Sequence, residues 1–105
     1  RENFLFFNAP LVCIFHLPKP SERGNFLDLG MFMQNIMLGL IAHDLGSCPQ
    51  ASIASYPDVI RECLKLTENR LVVAGLAVGR PDPDALVNEF VPQRLSLVEY
   101  AQWHS

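Results

Sequence analysis

The chain has 105 residues, room for a single domain. Half of them are hydrophobic and 18% are charged, a balance that excludes a disordered polypeptide and favours a packed interior. The formal net charge of −3 gives no electrostatic reason to expect nucleic acid or an anionic membrane as partner, so any anion must be held by a local group.

The first seven residues bring Phe4, Leu5, Phe6 and Phe7 together ahead of Asn8-Ala9-Pro10, the pattern of a helix end entering a strand. Pro10 is expected at the strand's first position, where a missing N–H is tolerated. Residues 11–17, LVCIFHL, form a continuous β-favouring apolar run between prolines, as in a strand covered on both faces. His16 has no second His, Asp or Glu in local register and is expected to be an ordinary strand-end histidine. Residues 18–25, PKPSERGN, make a polar connector that continues neither neighbour.

The stretch from Phe26 to Ser52 dominates the chain. From Leu27 to Leu45 its apolar residues do not keep to one stripe, and Ile36 to Ala42 has no polar position. The expectation is a long helix buried all round. Asp28, Gln34, Asn35, His43 and Asp44 interrupt it, which argues against a membrane span. Asn25 or Asp28 is the expected N-terminal cap and Gly46 the left-handed C-terminal residue, followed by a Gly-Ser-Cys-Pro-Gln turn. Gly30 and Gly39 are expected to admit close neighbours on opposite faces. Because a chain of this length exposes much of its surface, the cover for this helix must come from a second subunit or from polypeptide outside the chain.

A second, amphipathic helix is predicted over 56–66, with Ser55 as cap, Pro57 in the first turn and Asp58 favourable to the helix dipole. Residues 71–78, LVVAGLAV, form a second apolar strand ended by Gly79, Pro81 and Pro83. Two strands and a helix pair place the chain in the α+β or α/β class. Further on, residues 85–90 suit a helical turn and 91–95 an extended segment. Ser96 and Glu99 have capping-box spacing for a last short helix through Trp103. The apolar residues of this tail need a surface, and an arm laid on a partner subunit supplies one.

Cys13, Cys48 and Cys63 are odd in number and lack CxxC spacing, which fits reduced thiols of an intracellular protein. No signal-peptide pattern opens the chain. No GxGxxG, Walker A, GxSxG or HExxH pattern occurs, and no metal site is expected.

The order of blocks is informative where single motifs are not. Asn8-Ala9-Pro10 before an apolar strand, LDLGMFMQNIMLGLIAHDLGSCPQAS, YPDVIRECLKL and RLVVAGLAVGRPDPDALVN together resemble the second half of an FMN-dependent nitroreductase of the nitrobenzoate-reductase-like kind, over essentially the whole chain. The resemblance implies an α+β fold, a mixed sheet flanked by helices, built as a cytoplasmic homodimer with FMN in interface clefts. It implies that the central helix lies at the dimer core and that the tail reaches the other subunit. The chain is then expected to be the C-terminal half of one domain, without the family's N-terminal segment that grips the phosphate and ribityl chain.

By the same resemblance, Pro49, Gln50, Ala51 and Ser52 lie against the flavin ring, where backbone amides reach its N5 side. Arg94 corresponds to a basic residue on the FMN phosphate, although a second basic residue of the family pattern is missing, since Val91 and Pro92 stand in its place. The implied activity is a ping-pong oxidoreduction in which NAD(P)H reduces the flavin and the flavin reduces a nitroaromatic, quinone or similar small acceptor. The cofactor carries that chemistry, so no catalytic side chain is expected. A different class of protein fits the missing grip: an inert, truncated module that keeps the dimer core and binds no flavin.

Overall fold

The computed structural model describes residues 2–104. A kinked 3-10 segment, Glu2–Asn8, leads into β1, Leu11–Pro18, with Phe6, Phe7 and Asn8 all left-handed. Such a conformation costs a non-glycine residue roughly 1–2 kcal/mol and turns the chain sharply into the strand. The remaining elements are α1, Arg23–Ile41; β2, Gly46–Gln50; a 3-10 turn, Ala51–Ser55; α2, Pro57–Leu64; β3, Arg70–Gly79; a 3-10 turn, Leu86–Asn88; and α3, Leu97–Tyr100.

The sheet has the order β1-β3-β2 and both pairings are antiparallel. With the helices it makes the α+β class expected. In β1 Leu11 faces Val78 and Cys13 faces Leu76, and the register shifts between Phe15 and His16. In β2 Cys48 faces Ala77 and Gln50 faces Gly75. Strand side chains alternate between faces, so Phe15, Leu76 and Val78 share the face covered by α1, where Leu29, Met33, Ile36, Met37 and Leu40 pack on them. Phe15 meets Phe32 edge to face with ring centroids 6.3 Å apart.

Several local expectations are corrected. α1 begins at Arg23, inside the stretch 18–25 expected as a connector, and ends at Ile41 rather than Leu45. Residues 46–50 are not a turn but an edge strand. Pro49 is admissible there because an edge strand can direct a missing N–H away from its partner. Gly46 is not left-handed; Asp44 is, with φ 56°, a conformation that aspartate tolerates through its short polar side chain. The cap of α1 is Glu22, and Asn25 serves from the third helical position, its Oδ1 accepting the Glu22 N–H at 2.8 Å. The cap of α2 is Tyr56 rather than Ser55, and the helix stops at Leu64 because Lys65 is left-handed.

α1 is not buried all round by this chain. At 100° per residue, Leu29, Met33, Ile36, Met37 and Leu40 fall on the stripe against the sheet, whereas Leu27, Met31 and Leu38 fall opposite and Ile41 on the flank, all four 56–69% exposed. The sheet offers α1 one face and can cover no more. Nothing among the described residues comes within 4 Å of a Cβ placed on Gly30 or Gly39, so the close neighbours expected there are absent from the chain itself. The tail is equally open: α3 ends at Tyr100, before Trp103, and Val91, Val98 and Trp103 are more than four-fifths exposed. The surface area is 8643 Å², against about 5,900 Å² for a compact monomer of this mass. The radius of gyration is 16.5 Å, where about 13 Å is usual.

Candidate functional site

The four residues 49–52 span the junction between β2 and the Ala51–Ser55 turn. The pleat separates them. Pro49 pairs with Leu76 and Gln50 with Gly75, so their side chains lie on opposite faces of the sheet. Pro49 and Ala51 are exposed, Ser52 is half-buried, and Gln50 is 3% exposed. The opening of a helical turn leaves its first N–H groups without intrahelical acceptors, so the N–H groups of Ala51 and Ser52 are not taken up within the turn itself.

Gln50 turns inward. Its Nε2 donates to the backbone carbonyl of Asn3 at 2.6 Å and lies 3.5 Å from the Asn3 Oδ1, while its buried Oε1 has no partner among the described residues. Ile53, 3% exposed, anchors the turn from below, and Phe4 packs edge to face on Tyr56 with centroids 5.2 Å apart. The amino-terminal segment and the 49–56 stretch are thus fastened to each other at two points. Asn3 was invisible to sequence reasoning, since the two partners are 47 positions apart.

Arg94 is not brought into this junction by any side-chain hydrogen bond or ion pair among the described residues. It lies exposed between the Leu86–Asn88 turn and Ser96, on a stretch outside every helix and strand. Cys48 is half-buried on the same face of β2 as Gln50. His16 accepts a hydrogen bond at Nδ1 from Arg70 Nε, 2.9 Å away, and Arg61 Nε donates to the Arg70 carbonyl at 3.1 Å. These contacts join β1, β3 and α2 and give His16 a structural role. An apolar groove of about 660 Å³ opens beside them, lined by Phe4, Val12, Ile14, Ile53, Tyr56 and Ile60 among others. It adjoins the 49–52 junction through Ile53 and Tyr56. Among the described residues no cluster of three or more His, Cys, Asp or Glu could hold a metal ion, and no helix is long and apolar enough to cross a membrane.

Residues 1–80 match the profile of the Nitroreductase family. The chain is 36% identical over 86 residues to a 4-nitrobenzoate reductase of Pseudomonas putida, covering 82% of this chain and 38% of that protein. It is 36% identical over 100 residues to a chloronitrobenzene nitroreductase of Comamonas testosteroni, covering 95% and 44%. Among solved structures it superposes on the FMN- and NADPH-dependent nitroreductase NfnB of Sphingopyxis sp. strain HMH with a TM-score of 0.95 and 34% identity, over 99% of this chain and 47% of the other. NfnB of Mycobacterium smegmatis in complex with NADPH gives 0.93 and 34%, over 99% and 46%. The chain therefore spans less than half the length of these relatives.

Proposed function

The chain belongs to the Nitroreductase family, and from that premise we propose that it is the C-terminal half of an FMN-dependent oxidoreductase that takes electrons from NAD(P)H and passes them to a nitroaromatic, quinone or similar acceptor in a ping-pong cycle. The observation that carries this reading is the superposition of nearly the whole chain on one nitroreductase described as FMN- and NADPH-dependent and on another described as FMN-dependent and in complex with NADPH. Identity above 30% accompanies it, so the likeness extends beyond the fold.

The donor set of the 49–52 junction fits a flat, neutral, polar-edged ring. Pro49 and Ala51 offer exposed apolar surface, and the N–H groups of Ala51 and Ser52 are directed donors that carry no charge. When bound, FMN supplies the two-electron transfer between nicotinamide and acceptor. The chain's own part is to orient and to hold. Residues 49–52 form one wall, with the Gln50 main chain in line and its side chain turned away. Arg94 carries a planar guanidinium suited to a phosphate, and no side-chain hydrogen bond or ion pair among the described residues engages it. The open face of α1 and the open tail are surfaces for a homodimer and for the rest of the polypeptide: the excess area per chain, about 2,700 Å², exceeds the roughly 800 Å² per partner of a standard interface and leaves room for both.

Absorbance tests the proposal. The complete polypeptide should purify with a flavin spectrum, bleach on anaerobic addition of NADPH or NADH, and recover on addition of 4-nitrobenzoate. A protein that stays colourless when FMN is supplied would instead be an inert dimerising module.

A further inference from the structure

The buried amide of Gln50 poses a chemical question. An apolar side chain of similar length would fill the same space and would not leave Oε1 without a donor, a desolvation cost that an amide bears and a methionine avoids. What the amide contributes is the bond at its other end. The partner there is a carbonyl oxygen, which only accepts, so the nitrogen must be the atom that faces Asn3; reversed, two acceptors would meet at 2.6 Å.

We infer that Gln50 is a positioning residue: its side-chain amide ties the 49–52 junction to the carbonyl of Asn3 and thereby fixes where the exposed surface of Pro49, Ala51 and Ser52 stands, without presenting its own side chain to a ligand. The geometry supports this from both sides of the bond. Gln50 is the last residue of β2, so any rotation of the following turn pivots there. Asn3 lies in a segment held by no sheet, whose other described fastening to the turn region is the Phe4–Tyr56 ring pair. Without the amide bond the turn would keep Ile53 as its anchor and lose its orientation. The inference rests on the reading of residues 49–52 as a flavin wall, and two measurements separate the two.

The first is hydrogen exchange on the complete polypeptide, comparing Gln50→Met with the unaltered protein. Amides hydrogen-bonded within the two segments, such as Ala9 on the Phe6 carbonyl and Tyr56 on the Ile53 carbonyl, should exchange at least tenfold faster together while those of 71–78 keep their protection; exchange rising in neither segment, or in only one, would overturn the tie. Asn3→Ala keeps the carbonyl and should leave exchange unchanged. Gln50→Glu, which sets a carboxylate against the carbonyl, should loosen both segments more than methionine does. Should Gln50→Met not fold, the unaltered protein still decides: the Gln50 amide protons must show nuclear Overhauser contacts to residues 3 and 4, and their absence removes the bond. The second measurement is the visible spectrum and midpoint potential of bound FMN, both expected to shift in Gln50→Met. A loosened turn with an unchanged flavin signature would overturn the positioning role. If the unaltered protein takes up no FMN, the functional reading fails, and the exchange experiment alone still judges the tie.

Discussion

A methyl group added to Gly75 would stand 3.0 Å from Cγ1 of Ile53 and 3.7 Å from Cδ1 of Ile14. Gly75 also faces Gln50 across the β2–β3 pairing, so the turn after β2 rests on a residue of β3 that has no side chain to displace it. Gly75→Ala should therefore lift Ile53 and the Ala51–Ser55 turn. Overpacking of this kind costs typically 1–3 kcal/mol, roughly. Urea denaturation should register a loss in that range, and an unchanged midpoint would mean that Ile53 yields freely.

The two stripes of α1 should respond differently to charge. Met37 packs against the cluster of Phe15, Leu76 and Val78, and Met37→Asp should cost roughly 3–5 kcal/mol, as for an uncompensated buried charge, and abolish soluble folded protein. Purification with an unaltered melting temperature would contradict the packing described.

Met31, on the other stripe, is 60% exposed in the single chain. Light scattering on the complete polypeptide should give twice the monomer mass, and Met31→Asp should shift it toward monomer or aggregate. A monodisperse monomer in the unaltered protein would remove the proposed dimer.

Glu99 carries the one pH-dependent prediction. Its carboxylate accepts the Ser96 hydroxyl at 2.6 Å and the Ser96 N–H at 2.8 Å, and these two bonds, the hydroxyl first, hold its pKa below the ordinary carboxylate value. Since the folded pKa lies under the unfolded one, the cap's contribution is complete above the ordinary carboxylate range and is lost as pH falls through the folded value. Ser96→Ala removes the larger cause and leaves the N–H, so the Glu99 carboxyl should titrate at higher pH without returning fully. A carbon-13 titration of the Glu99 side chain checks this.

Arg94→Ala should weaken FMN binding by at least tenfold in the complete polypeptide while leaving the dimer intact, because a charge-assisted contact to phosphate is commonly worth about 2 kcal/mol or more. Unchanged affinity in a fluorescence titration would take Arg94 out of the site. The 105 residues alone should bind FMN poorly, since a phosphate dianion needs several such donors.

The sequence by itself determined the elements whose cause is local. β1 and β3 are apolar runs closed off by proline and glycine, α1 follows from a long, mostly apolar stretch without proline, and the Ser96–Glu99 cap depends on residues three apart. Their order was also enough to reveal the family. Only the tertiary structure decided what depends on distant partners. Gly-Ser-Cys-Pro-Gln is a poor strand former and extends because the edge of β3 accepts it. Gln50 reads as a turn residue until Asn3, 47 positions away, draws its amide inward. Which stripe of α1 meets the sheet is likewise undecided by a helix apolar on every side, because no periodic pattern distinguishes its faces; Phe15, Leu76 and Val78 choose it by packing.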